Sequence, residues 1–108
     1  MNKVLLLGRI VNDLELTTYK EDLNVLNFTL AVRRKIRTER GPDTDFINCV
    51  AWRKDAEFIC RNFVKGDSIY IVGTLNNNQY TDGNGNKQYG YKVSVEEVYF
   101  TGSSLKKK

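Results

Sequence analysis

The chain has 108 residues, 41% hydrophobic and 28% charged, with one proline, and its 17 basic and 13 acidic residues leave a net charge of +4. That length suits one domain burying roughly two thirds of its unfolded surface, and the composition excludes a disordered or membrane-dominated chain. With no histidine and two cysteines, the commonest general base, the Ser-His and Cys-His nucleophiles, a disulfide scaffold and a zinc site of familiar spacing are excluded too.

The first element, "KVLLLGRIV" from Lys3 to Val11, reads as a strand, with Gly8 as a bulge or bend of the kind small barrels need. Its apolar run, Val4 to Leu7, falls short of the roughly 7 to 15 residues of a secretory signal. The chain is therefore expected in the cytoplasm. A polar stretch follows, from Asn12 to Asn24. In "VLNFTLAVRR", Leu26, Phe28, Leu30 and Val32 alternate with Asn27, Thr29, Ala31 and Arg33, the pattern of a half-buried strand.

Residues 33–40, "RRKIRTER", carry Arg33, Arg34, Lys35, Arg37 and Arg40 against Glu39. They form either a solvated hairpin loop or a site for a polyanion. After "GPDTD" comes "DFINCVAWRKDAEF", whose alternation puts Ile47, Cys49 and Ala51 on one face and Phe46, Asn48, Val50 and Trp52 on the other. The first face suits a barrel interior, which turns Phe46 and Trp52 outward. Beyond Lys54 the period becomes helical through Ala56, Ile59, Cys60 and Phe63, with Asp55 as the N-cap and Gly66 as the C-terminal cap. Both cysteines read as reduced core residues. "SIYIVGTL" (Ser68 to Leu75) and "QYGYKVSVEEVYF" (Gln88 to Phe100) are the last two strands, and "TDGNGN" between them is a flexible hairpin tip with Tyr80 and Tyr89 on its shoulders.

Five strands with one short helix between the third and fourth predict an all-β fold, a five-stranded Greek-key OB-fold barrel. An SH3-like barrel has similar strands but does not need the helix. The barrel domain is expected over 1–101 and a short basic tail over 102–108, where Lys106, Lys107 and Lys108 supply three positive charges.

Outward aromatics serve a subunit contact, or they are platforms on which unpaired bases stack. Their company favours the second use. Lys54 shares the face of Trp52 if the strand continues, Arg53 lies between them, the Arg33 to Arg40 loop joins this strand to the last, and Lys87 with Tyr80 flanks another hairpin. Cations interleaved with aromatics on one sheet make a groove for single-stranded nucleic acid. Scattered carboxylates and the lack of histidine suggest neither a catalytic residue nor a metal site.

"NKVLLLGRIVNDLEL", "NFTLAV", "DFINCVAWRKDAEF", "KGDSIYIVGTL" and "YTDGNGN" occur in the order, and at about the spacings, of bacterial and phage single-stranded DNA-binding proteins. The chain resembles that family from residue 2 to about 100. The resemblance implies an OB fold, a homotetramer built as a dimer of dimers, sequence-independent cover for single-stranded DNA in replication, recombination, repair or DNA uptake, and no catalysis or cofactor. It implies a place in the cytoplasm of a bacterial or phage-infected cell, at the nucleoid. Phe46, Trp52 and Tyr80 match positions whose rings stack on bases; Lys54 matches a basic position beside the second ring, and Lys65 and Arg40 fall near positions that meet phosphates.

Departures from the family pattern are Ile36 where an aromatic is common, Leu14 where proline is frequent and Asp22 where glycine is frequent. The chain also stops at "SSLKKK", where housekeeping members continue to an acidic tip that recruits repair enzymes. If complete, the chain is expected to coat DNA without tail-mediated recruitment; if truncated, it has lost the recruiting segment. A primosomal replication protein of the same fold, which mainly recruits other proteins, is the alternative, and a nuclease on the same scaffold is a third reading.

Overall fold

A computed structural model describes residues 1–21, 23–36, 39, 41 and 43–102, with residues 78–80 and 89 described by backbone alone. The order is β1 (Val4–Ile10), β2 (Thr17–Thr18), β3 (Asn24–Arg33), β4 (Thr44–Trp52), α1 (Arg53–Asn62), β5 (Ser68–Thr81) and β6 (Lys87–Tyr99). The sheet runs β1-β5-β6-β4-β3-β2 and closes on itself where β1 also pairs with β3. Every pairing is antiparallel except β4 with β6. This is the expected five-stranded barrel. Its helix falls between the fourth and fifth strands rather than the third and fourth because the two-residue β2, bonded to β3 through Thr17 and Val25, adds one to the count.

Alternation decides what the barrel encloses. Leu6 and Ile10 from β1, Leu26, Phe28 and Leu30 from β3, and Cys49 and Ala51 from β4 meet Ile69, Ile71, Val93 and Val95 inside, and α1 covers the core with Ala56, Ile59 and the following Phe63. Burial pushes the Cys49 thiol up to about 12, so it stays protonated and unreactive at neutral pH. Ten residues make α1, and no helix among the described residues is long and apolar enough to cross a membrane.

Two glycines carry the barrel's tight approaches, though not in the way the sequence suggests. Gly8 is no bulge: pairing with β5 runs unbroken through Gly8 and Ile69. A Cβ at Gly8 would stand 2.7 Å from the Ala31 carbonyl oxygen, because this is where β1 closes onto β3. The bulge lies instead at Val72/Gly73, opposite Val95 and Glu97. The extra residue, Glu96, shifts the inward position from residue 97 to Val98, and its carboxylate meets Lys3 at 2.9 Å.

The helix caps differ from expectation as well. Asp55 lies in the first turn of α1, not at its N-cap, which is Trp52 without a side-chain hydrogen bond. Phe63 ends the helix, and Gly66, three residues on, adopts a φ of 95° to turn the chain toward β5. There its N–H donates to the Ile10 carbonyl at 2.7 Å.

The expected strand stops at Leu75, before the run Asn76, Asn77 and Asn78, a residue type depleted in strands. The structure nevertheless extends β5 through Thr81, because each residue from Asn76 on faces one of β6, from Lys92 to Lys87. Asp82 organises the hairpin tip: its Oδ1 accepts the N–H groups of Asn84 (2.9 Å) and Asn86 (3.0 Å), and its Oδ2 accepts from Gln88 Nε2 (3.0 Å). The bond from Asn86, then those from Asn84 and Gln88, hold the Asp82 carboxyl below the usual carboxylate range. A depressed folded value means the order it confers is present above the unfolded pKa of about 3.9 and is lost as pH falls through the lower folded value. The Asn84 and Asn86 amide resonances should therefore titrate together with a midpoint below about 3.9, and Asp82→Ala should abolish that titration and raise their hydrogen exchange.

Candidate nucleic-acid interface

The face of β4 turned away from the core carries Phe46, Asn48, Val50 and Trp52, paired across to Ala31, Thr29, Asn27 and Val25 of β3. Phe46 is 67% exposed and Trp52 46%. Six residues of strand set the two rings about 20 Å apart. Val50 between them is buried although it points outward, and here Lys92 of β6 reaches across β4 to Asn27 of β3, Nζ to Oδ1 at 3.0 Å. Around it, the Thr29 hydroxyl donates to Asn48 Oδ1 (3.0 Å) and the Ser94 hydroxyl to Asn76 Oδ1 (2.6 Å). Between the two rings lies a floor of hydroxyls and amides with one ammonium over it.

Strand β4 does not continue past Trp52, so Lys54 is not on its face by alternation. Arg53 takes a φ of 55°, a left-handed conformation that costs a non-glycine residue about 1–2 kcal/mol, and the chain enters α1 at once. The turn still brings Lys54 to Trp52: both line a cleft with Arg53, Asn24, Glu21, Asp55 and Glu57. Three acids thus face two cations beside this ring. Burial pushes the Asp55 carboxyl up; local charge around Trp52 is mixed, and flat stacking is its main asset.

Around Phe46 the balance is different. Arg33 stands opposite Thr44, one pair beyond Ala31 and Phe46 on the same face. It is exposed, as is Lys35, and neither forms an ion pair with any described residue. Arg34 is committed elsewhere: its Nε donates to both oxygens of Asp45 (3.1 and 3.0 Å) and its Nη2 to Oδ1 (2.8 Å), which also holds the Asp45 carboxyl down. Ile36 is exposed to 78% at the start of the loop tip, where the resemblance leads one to look for an aromatic. Arg37 and Arg40 lie outside the described residues, as do Asp22 and 103–108.

The remaining candidates are spread out. Lys87 is exposed opposite Thr81 at the hairpin base, and Tyr80 takes the register position opposite Gln88, its side chain lying outside the described residues. Lys65 is exposed beyond the far end of α1, about 15 Å of helix from Trp52. It is not brought to the two rings. Sequence reasoning missed Lys92, Asn27 and Asn48 as partners, and it missed the acids at Trp52. Odd-even parity on β3 and β4 marks Asn27 and Asn48, but nothing in the sequence marks the parallel β4–β6 pairing that brings Lys92 to them.

Among the described residues no group of three or more acidic or cysteine side chains is arranged to hold a metal ion. What the face can do chemically is stack flat rings, hydrogen-bond to polar edges and attract anions.

Comparison with known proteins agrees with this geometry. The sequence model of the Single-strand binding protein family matches residues 1–101. The Single-stranded DNA-binding protein of Halalkalibacterium halodurans is 37% identical over 93% of this chain and 60% of its own length. Single-stranded DNA-binding protein A of Bacillus subtilis is 36% identical over 93% and 59%, and Single-stranded DNA-binding protein 1 of Streptococcus pyogenes 38% over 91% and 72%. The chain thus spans about three fifths of the length of most of these relatives.

Proposed function

Because this chain belongs to the single-strand binding protein family, we propose that it binds single-stranded DNA without reading its sequence, as a binding protein and not an enzyme. The observation that carries this is Phe46 and Trp52, both exposed on the outward face of a strand whose inward face is the barrel core. Rings held out by a buried strand are pre-ordered, so stacking on a base requires little new order in the protein. Every base has a π face, so stacking of this kind is tolerant of sequence. Duplex DNA hides those faces.

Arg33, Lys35 and Lys92 supply the charge we assign to phosphate contact near Phe46, with Arg53 and Lys54 at Trp52. Lys87 extends the surface at the β5–β6 hairpin and Lys65 past α1; Arg37, Arg40 and Tyr80 are assigned to DNA contact from their places in the sequence alone. Arg34 acts through Asp45, fixing the root of the β3–β4 loop. The recruiting-protein alternative draws no support from the relatives above, which carry the single-stranded DNA-binding name.

We read residues 1–101 as the DNA-binding domain of a cytoplasmic protein that assembles as a homotetramer, a dimer of dimers. Two features support that assembly. From Val4 to Leu7, β1 pairs with β5 on one side and meets β3 only at Arg9 and Ile10, which leaves a strand edge free to pair. On the adjoining outward face, Leu5, Leu7 and Tyr99 are all exposed, an apolar strip suited to a subunit contact.

The test uses the single tryptophan. Oligo-dT should quench Trp52 fluorescence strongly while a duplex of equal length leaves it nearly unchanged. Log affinity should fall linearly with log salt, and changing Arg33 and Lys35 to alanine should flatten that slope by about 0.7 for each phosphate no longer neutralised. Absence of both quenching and binding would overturn the proposal; an unchanged slope would remove the loop from the DNA-binding surface.

A further inference from the structure

We propose that the floor between Phe46 and Trp52 is a phosphodiester site, in which Lys92, Asn27 and Asn48 hold one backbone phosphate of a strand whose bases stack on the two rings. This rests on the single-strand reading above and deepens it, by saying which way the strand turns. Bases face the sheet at each ring, and the phosphate faces it between them. Lys92 crosses β4 at Val50, the residue opposite Asn27, and sets its ammonium 3.0 Å from Asn27 Oδ1. Asn48 is two residues before Val50 on the same outward face. These side chains are among those that line, with Asn12 and Thr29, a depression of about 220 Å3. None of its lining residues belongs to the Val4–Leu7 edge of β1 or to the strip of Leu5, Leu7 and Tyr99.

Hydrogen bonding within the floor decides what it can take. Asn27 Oδ1 accepts from Lys92, and Asn48 Oδ1 accepts from the Thr29 hydroxyl at 3.0 Å. The Thr29 N–H in turn donates to Asn12 Oδ1 at 2.8 Å. Asn27 and Asn48 are both exposed, and the Nδ2 group of neither donates to any described residue. The amide oxygens are thus engaged within the floor, and the amino groups are left for a ligand. Lys92 forms no ion pair with any described residue, so its charge is uncompensated. It is half-buried along its course past Val50, which is itself buried although it points outward, so little freedom is lost when a ligand arrives. Two amino groups around an ammonium suit a ligand that carries acceptors and negative charge. A phosphodiester is such a ligand, and charge-assisted bonds of this kind are the strong ones. An unpaired base always carries an N–H donor beside its acceptors, and that donor would meet another donor here. Phosphate contacts also carry no sequence information, in keeping with cover that is indifferent to sequence.

The test compares the full chain with Lys92→Met, Lys92→Arg and a double variant, Asn27→Ala with Asn48→Ala. Binding is read by anisotropy of a labelled oligo-dT and of an equally long strand of abasic deoxyribose phosphates. Lys92→Met should bind both strands about 10-fold more weakly and lower the log-log salt slope by about 0.7, whereas Lys92→Arg should keep the slope. The asparagine double variant should lose a similar factor on both strands with the slope unchanged, since no charge has moved. Parent-like binding by Lys92→Met or by the double variant, or a slope that Lys92→Met leaves as it was, would overturn this site alone. So would a loss confined to oligo-dT, which would give the floor to the edge of a base. A loss accompanied by a smaller mass in sedimentation would give it to a second copy of the chain instead. Failure of the parent itself to bind oligo-dT would remove the single-strand reading and this site with it.

Discussion

With Phe46 and Trp52 both changed to alanine, affinity for oligo-dT should fall by about 2–6 kcal/mol, the sum of two stacking contributions of about 1–3 kcal/mol each. Additivity is expected because about 20 Å of strand separates the rings and sites more than about 10 Å apart rarely couple. The loss should be similar for dT, dC and dA strands. Phe46 is largely exposed, so its removal should leave the melting temperature nearly unchanged. Trp52 is half covered and lies across from the buried Val25, so Trp52→Ala should lower stability slightly as well. Melting curves separate that effect from the weaker binding. A double variant no weaker than the more affected single one would mean that one ring carries the stacking; two neutral single variants would move both rings into subunit interfaces.

Phe63→Ala should destabilise the fold by about 3–5 kcal/mol, the range for deleting a buried aromatic ring. That is a large share of the roughly 5–15 kcal/mol that holds a domain together. Phe63 is 2% exposed and lies parallel to Phe100, ring centres 5.1 Å apart and planes 17° apart, while Phe58 meets Phe100 edge-on at 5.6 Å. These rings tie the end of α1 to the end of β6, so the loss is felt by two elements. Urea unfolding should show a lower midpoint with an unchanged slope. A shift worth less than about 1 kcal/mol would mean that Phe58 and Phe100 close over the gap.

Period-two alternation settles which face of β4 is inside, and hence that Phe46 and Trp52 look out. It works wherever one face of a strand is buried. It fails where two strands meet. Lys54 reaches Trp52 through a left-handed turn at Arg53, not along a strand, and propensity carries no sign of that turn. Gly8 and Gly73 look alike in sequence, but one faces the β1–β3 closure and the other a bulge. Arg34 reads as one more cation of a basic run, although its place on the hairpin pairs it with Asp45. Lys92 carries no local signal because its surroundings come from β4, some forty residues earlier, through a parallel pairing that no local pattern encodes.

The closure of β1 onto β5 also bears on how the chain reaches this state. Val4 lies opposite Gly73, and Arg9 opposite Ser68, so during synthesis β1 must wait for some sixty further residues before its main partner exists. Pairings of such long sequence separation slow folding toward the millisecond-to-second range of β barrels. During synthesis Leu6 and Ile10 have no core to enter, and the β1 backbone is open on both edges, a nascent segment exposed to mispairing. The β5–β6 hairpin, local in sequence and organised by Asp82, is the part able to form first and receive it.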